Sequence, residues 1–177
     1  MITLITGASS SGKSLIAETV AINQRGDNLY YIATMHTWDK EAELKVRRHR
    51  EMRADKGFTT MEKYVDIGSI DVPADSALLI ECMSNLIANE MYDTDGAKES
   101  AHTKIIDDIR ALNEKAANII IVTNEIFSDG VEYDEWCTDY ITKLGYVNCE
   151  LAKLADVVIE SVVGIPIYHK GGRYVYI

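Results

Sequence analysis

The chain has 177 residues, 47% of them apolar, which is enough to bury a substantial core without disulfides or structural metal. A formal charge of −10 and a pI near 4.8 exclude general nucleic-acid binding, because phosphate backbones demand a basic footprint. Cys82, Cys137 and Cys149 are too few and too widely spaced for a disulfide framework or a zinc cluster, and no apolar run reaches the length of a membrane span, so the expectation is one cytoplasmic domain over residues 1–177 with reduced thiols.

The first predicted element is the apolar run Ile2 to Thr6, a strand. Directly after it comes Gly7-Ala8-Ser9-Ser10-Ser11-Gly12-Lys13-Ser14, which matches G-x-x-x-x-G-K-[ST], and a helix is predicted from Lys13 to Asn23. Glycines let such a loop curl with successive N–H groups pointing inward, an anion nest at a helix N-terminus. Lys13 is then placed to reach the β- and γ-phosphates of a nucleoside triphosphate, GTP and/or ATP, and the Ser14 hydroxyl to ligate Mg²⁺. A second strand follows at Leu29 to Ala33.

A helix is predicted over Lys40 to Asp55. Lys45, Arg47, Arg48, Arg50 and Arg53 cluster there around His49, against the single acid Glu51. At about 100° per residue, Ala42, Val46, His49 and Arg53 fall within about 60° of one another, with Arg50 flanking the stripe. Cationic neighbours favour the neutral imidazole, which is nucleophilic and suited to attack on an α-phosphorus. A basic solvated helix face on which His49 is incidental is the competing reading.

The next strand, Ala77 to Glu81, ends on a carboxylate that suits the metal or a ribose hydroxyl. A helix over Ser84 to Met91, a polar loop over Asp93 to Ser100, and a helix over His102 to Ala116 lead to a strand at Asn118 to Thr123. The last helix, Trp136 to Ala155, is expected to break near Gly145. It is followed by a strand at Val157 to Val162 and a C-terminal hairpin in which Ile165 to His169 and Arg173 to Ile177 flank Lys170-Gly171-Gly172. Continuous apolar strands alternating with helices predict an α/β fold with a mostly parallel central sheet.

The sequence resembles the bifunctional adenosylcobinamide kinase/adenosylcobinamide-phosphate guanylyltransferases of cobalamin biosynthesis nearly end to end. The likeness is carried by the loop from Thr6-Gly7, Tyr31-Ile32-Ala33-Thr34, Asp39-x-Glu41, Val46-x-x-His49-Arg50-x-x-Arg53 and Thr60-x-Glu62. It continues through Leu79-Ile80-Glu81-Cys82, Asn89, Thr123-Asn124-Glu125, Gly145-x-x-Asn148, Leu151-Ala152-x-x-Ala155-Asp156 and Gly164-Ile165-Pro166-x-x-x-Lys170. The resemblance implies a RecA-like P-loop fold, a homotrimer, and two reactions. These are phosphorylation of the aminopropanol hydroxyl of the corrinoid adenosylcobinamide, and transfer of GMP from GTP to that phosphate through a guanylylated histidine at the position of His49. It also implies nucleotide contacts at Gly7 to Ser14, at Thr34, Met35 and His36, at Arg50, Glu51, Met52 and Arg53, and at Glu62 and Glu81.

The chain departs from the family pattern at two places. Ala8 and Ser10 stand where the family has a second glycine and an arginine, and residues 126–140 replace a Gly-rich turn and an Arg-containing helix with acids and aromatics. Losing those cations removes charge-assisted bonds worth roughly 1.5–3 kcal/mol each to a phosphorylated corrinoid. A P-loop kinase or NTPase without nucleotidyl transfer, and a non-catalytic GTP-binding protein, are therefore the alternative readings.

Overall fold

A computed structural model describes residues 1–37, 40–128 and 130–171, apart from the side chains at 41–43, 45, 48, 49 and 52. The described strands are β1 (Ile2–Thr6), β2 (Asn28–Ala33), β3 (Thr59–Glu62), β4 (Ser76–Glu81), β5 (Asn118–Val122), β6 (Val157–Val162) and β7 (Ile165–Lys170). They form one sheet in the order β3-β2-β4-β5-β1-β6-β7, parallel except for β7. The helices are α1 (Lys13–Asn23), α2 (Lys40–Arg53), α3 (Met83–Tyr92), α4 (Ala101–Lys115) and α5 (Glu135–Leu154). The architecture is the RecA-like α/β class, with β5 inserted between the strand before the P-loop and the strand ending in Glu81.

Burial on both faces explains the unbroken apolarity of the central strands. On β4, Ala77 and Leu79 pack with Ile16, Ala17, Val20 and Ala21 of α1, while Leu78 and Ile80 pack with α3, α4 and α5 through Leu86, Ile105, Ile109, Leu144 and Leu151. Each fully buried leucine or isoleucine contributes about 1.5–3 kcal/mol from removal of apolar surface. The parallel register aligns the carboxyl ends of the strands in one transverse row, Glu62–Ala33–Glu81–Val122–Ile5–Ile159, and the P-loop begins two residues beyond Ile5. Open parallel sheets place their ligands at this edge.

Three features differ from the sequence expectation. β3 is an additional strand, and three of its four residues are exposed, so it carries no apolar run to announce it. α5 runs unbroken through Gly145, where the Phe127 ring lies 3.5 Å from the position of an added Cβ and Leu144, Val147 and Leu151 anchor the helix on both sides. A hairpin not foreseen from the sequence joins β6 to β7 through a turn at Val163–Gly164, both at positive φ (45° and 84°), as tight antiparallel turns require. β7 therefore pairs backward with β6, while the hairpin expected around Lys170-Gly171-Gly172, with its second strand at Arg173 to Ile177, extends outside the described residues.

Candidate active site

Backbone packing fixes the shape of the P-loop before any ligand enters. Gly7 has φ 151°, and a Cβ there would lie 2.7 Å from both the Ser161 carbonyl oxygen and Ser11 Oγ. Gly12, at φ 93°, would place a Cβ 3.1 Å from the Cα of Gly164. Both positions are confined to glycine by conformation and by space. The β6–β7 hairpin backs the loop, since Gly164 N–H and Ser161 Oγ each donate to the Ser11 carbonyl at 2.7 Å. Ala8, Ser9 and Ser10 form the exposed tip, with Ser10 at φ 58°. Lys13 is buried, and its Nζ donates to the Ala8 carbonyl at 2.8 Å, which holds an ammonium across the loop and adds positive charge to its amide cradle.

Ser14 Oγ donates to Glu81 Oε1 at 2.5 Å, and Tyr31 Oη donates to Glu81 Oε2 at 3.3 Å. Burial, reinforced by the neighbouring Glu81 charge, pushes the Tyr31 phenol far above its ordinary range, so it remains a donor. The Arg53 guanidinium carbon lies 3.3 Å from the Tyr31 ring centroid, and Arg53 is only 5% exposed, with Nε and Nη1 lacking hydrogen-bond partners among the described residues. A continuous set of contacts, Ser14–Glu81–Tyr31–Arg53, thus runs from the P-loop to α2. The Ser14 hydroxyl and Glu81 carboxylate are adjacent hard oxygen donors and fit Mg²⁺, an ion that keeps several waters and takes only one or two protein oxygens beside substrate phosphates. Among the described residues no group of three or more His, Cys, Asp or Glu side chains suits a more heavily coordinated metal.

A second depression, of about 330 Å³, lies between α2 and the ends of β2 and β3 and is lined by Met35, Val46, Arg47, Arg50, Glu62 and Tyr64. Arg50 forms an ion pair with Glu62, whose other oxygen accepts from Tyr64 Oη at 3.0 Å. The His36 ring stacks on Tyr64 with centroids 4.0 Å apart, and its Nε2 lies 2.6 Å from Asp93 Oδ2. Met35, Arg50 and Glu62, all expected at the nucleotide, thus line one depression. Thr34 instead turns into the protein, donating its backbone N–H to the Glu81 carbonyl at 3.2 Å and its hydroxyl to the Cys82 carbonyl at 3.0 Å. Glu51 is exposed on α2 and pairs loosely with Arg47 at 3.9 Å. His49 and Met52 belong to α2, but their side chains lie outside the described residues. Sequence reasoning missed Tyr64 and Asp93. The only cue to Tyr64 is its place two residues after Glu62, and nothing local marks Asp93.

Comparison with known proteins places this geometry. The sequence profile described as cobinamide kinase / cobinamide phosphate guanyltransferase matches residues 3–168. The chain belongs to the cobinamide kinase / cobinamide phosphate guanyltransferase family. It is 29% identical to the bifunctional adenosylcobalamin biosynthesis protein CobU of Salmonella typhimurium, over 93% of this chain and 97% of that protein. It is 27% identical to the protein of the same name from Escherichia coli strain K12, with the same coverage. In fold alone it is similar to a protein of solved structure from Pyrococcus horikoshii OT3, at a TM-score of 0.52 and 10% identity over 98% of this chain and 87% of that one.

Several of the residues on which the sequence resemblance rests are framework of the sheet. Asn89 Nδ2 donates to the Thr34 carbonyl at 2.7 Å and the Tyr64 carbonyl at 2.9 Å, clamping together the exits of β2 and β3. Thr123 Oγ1 donates to Asn148 Oδ1 at 2.6 Å and Asn124 Nδ2 to Ser84 Oγ at 2.7 Å, joining the end of β5 to α5 and α3. Asp156 accepts from Ile2 N–H at 2.7 Å, and Lys170 Nζ donates to the carbonyls of Ala152 at 3.2 Å and Lys153 at 2.9 Å, covering the last turn of α5. The Asn89, Thr123 and Asn124 bonds thus fasten strand exits at the edge that carries the P-loop, while those of Asp156 and Lys170 fasten the opposite edge of the sheet.

Proposed function

We propose that this family member is an adenosylcobinamide kinase and adenosylcobinamide-phosphate guanylyltransferase, working in the cytoplasm as one P-loop domain per subunit of a homotrimer. The observation that carries the reading is the meeting of the Ser14 hydroxyl with the Glu81 carboxylate at the mouth of a glycine-shaped loop, joined through Tyr31 to the helix that carries His49. The amides of Gly7 to Ser14 and the Lys13 ammonium hold the β- and γ-phosphates of ATP and/or GTP. Met35, His36, Arg50 and Glu62 hold the rest of the nucleotide. Mg²⁺, bound through Ser14 and Glu81, supplies charge neutralisation on the phosphate oxygens.

In the kinase step the hydroxyl oxygen of the aminopropanol arm bonds to the γ-phosphorus and the bond to the β–γ bridging oxygen breaks. The nucleoside diphosphate leaves, and the hydroxyl proton passes to solvent. In the second reaction the neutral imidazole of His49 attacks the α-phosphorus of GTP, a P–N bond forms and pyrophosphate leaves. A phosphate oxygen of the phosphorylated corrinoid then displaces the imidazole. Arg50 and Arg53 offset negative charge as it builds on the phosphoryl oxygens.

Incubation with α-³²P-GTP is the test. We expect acid-labile, alkali-stable label on His49 that disappears in His49→Ala. Absence of label together with cobinamide-dependent consumption of ATP or GTP would leave a kinase alone. GTP uptake without turnover would leave a nucleotide-binding protein.

A further inference from the structure

The segment over residues 126–140 that departs from the family pattern borders a cavity next to the P-loop. This cavity, of about 570 Å³, lies between the β5–α5 connection and the first turns of α5, and its walls include Glu125, Ile126, Tyr133, Cys137, Tyr140 and Ile141. It adjoins the P-loop directly, because the backbone N–H of Glu125 donates to the Gly7 carbonyl at 3.0 Å. Its inner wall is fixed, since Tyr140 Oη donates to the Ser84 carbonyl at 3.1 Å. Its surroundings are apolar and uncovered, with Trp136 72% exposed and Val131 58% exposed beside the partly exposed rings of Phe127 and Tyr133. Of the cavity's own walls, Ile126, Tyr133, Tyr140 and Ile141 present apolar surface, and exposed Trp136 stands one residue before Cys137 on the same helix turn, an apolar lining that suits a binding surface.

Charge narrows the occupant. The described residues from Glu125 to Thr142 include five acids, Glu125, Glu132, Asp134, Glu135 and Asp139, and no lysine, arginine or histidine; the next residue, Lys143, is taken up by Asp139 at 2.5 Å, which leaves four acids without a basic neighbour in this stretch. An anionic ligand is repelled here. A ligand that suits these walls has a large flat apolar body, carries positive charge, and is fringed with N–H donors that carboxylates accept. Cobinamide has this chemistry: a cobalt(III) corrin of net positive charge, edged with primary amides, whose hydroxyl-bearing arm must reach the γ-phosphate at the P-loop.

Building on the proposed kinase activity, we infer that this cavity is the acceptor subsite, where the cationic, amide-fringed corrin ring of unphosphorylated cobinamide docks with its hydroxyl arm directed past Glu125 toward Gly7. The acids and aromatics of residues 125–142 select the ring by charge and by apolar contact. The volume accommodates one side of the macrocycle, and the aromatic rim lies beside the remainder.

Cys137 lines the cavity while Cys149 lies exposed further along α5, which gives an internal control. Adenosylcobinamide should slow maleimide labelling of Cys137 at least tenfold, leaving Cys149 unchanged. Cobyrinic acid, the same ring with carboxylates in place of amides and without the hydroxyl arm, should protect at least tenfold less well, whereas cobyric acid, which keeps the primary amides and also lacks the arm, should protect nearly as well as adenosylcobinamide. Cys137→Trp, which fills the cavity from an exposed helical turn, should raise the apparent Kd for adenosylcobinamide at least tenfold, with GTP titration reporting that the variant is folded. Equal protection by cobyrinic acid, no protection by adenosylcobinamide, or protection produced merely by raising protein concentration would each overturn the inference, the last by showing that a second copy covers the cavity. If GTP uptake and His49 labelling persist while Cys137 is not protected, only the subsite is lost. If GTP uptake is absent as well, the proposed function itself fails.

Discussion

The P-loop and α2 face the same region of the molecule, yet they are attached to it in opposite ways. The P-loop is tied by backbone, through two glycines that admit no side chain, two hydrogen bonds from the β6–β7 hairpin to Ser11, and a buried lysine folded across its opening. Among the described residues α2 is tied chiefly by side-chain charge: of its described apolar residues Leu44 is 54% exposed and Val46 half-buried, and its anchors are Arg53 on Tyr31 and Arg50 on Glu62. A phosphate cradle gains from being rigid before the ligand arrives, because no ordering cost remains to be met on binding. A helix held by an exposed ion pair, worth about 0–1 kcal/mol, and one cation–π contact, worth up to about 2 kcal/mol when desolvated, shifts at little cost.

The comparison is most severely tested at Lys13. Lys13→Ala removes both the strap to Ala8 and the cation for the phosphates, so binding of ATP and GTP should weaken at least about 100-fold, from charge-assisted bonds of roughly 1.5–3 kcal/mol each. Isothermal titration with magnesium present measures this, and an unchanged Kd would mean that the loop does not hold the triphosphate.

Gly7→Ala should act next most strongly, and through backbone alone. The added methyl meets the Ser161 carbonyl oxygen at 2.7 Å, and the φ of 151° is strained for any side chain. A loss of about 1–3 kcal/mol in stability from overpacking is expected in urea unfolding, with triphosphate affinity falling at least tenfold as the loop is pushed off β6. A variant of native stability and affinity would show that the hairpin does not set the loop's shape.

What could be read from the sequence follows the same division. The P-loop, its flanking strand and helix, and the buried strands were legible because each is encoded within a few neighbouring residues. β3 was not, because an edge strand with mostly exposed residues lacks the apolar pattern that reports burial. Nor was the turn at Val163–Gly164, because valine is a poor local signal for positive φ and the turn is held by pairing of β7 with β6. The grouping of His36, Tyr64 and Asp93 depends on contacts across 57 residues of chain and has no local signature. Arg53 was legible as part of a basic helix face, but not as a buried cation on Tyr31, because the burial is conferred by β2.

Arg53→Met sharpens the contrast from the side of α2. Methionine keeps a flexible apolar contact with the Tyr31 ring and removes two buried N–H groups that have no partner among the described residues, so global stability should stay within about 1 kcal/mol of the wild type. If Arg53 serves phosphate oxygens once the triphosphate is bound, the rate of label transfer from α-³²P-GTP to His49 should nonetheless fall at least tenfold. Equal loss of stability and labelling would instead make Arg53 a purely structural clamp.

The smallest effect concerns the framework and appears only in alkali. Burial pushes the Tyr140 phenol up to about 12, above the ordinary value near 10. Below pH ~10 the folded and unfolded chains both keep this proton, and the group is neutral with respect to stability. As pH rises from ~10 towards ~12 the unfolded chain releases the proton while the folded chain retains it, so unfolding becomes progressively easier, and the loss levels off once both states are ionised. After discounting for the partial exposure of the ring, this one group should remove at most about 2 kcal/mol across that window. Tyr31, shifted in the same direction, adds to the fall. Tyr140→Phe should therefore melt slightly below the wild type at pH 8, having lost the hydrogen bond to Ser84, yet show a smaller drop in Tm between pH 8 and pH 11. Because Tyr140 packs between α5 and α3, amide exchange in α2 should be the same in both proteins. Faster exchange in α2 would mean that the helix draws more support from the framework than its two charged anchors provide.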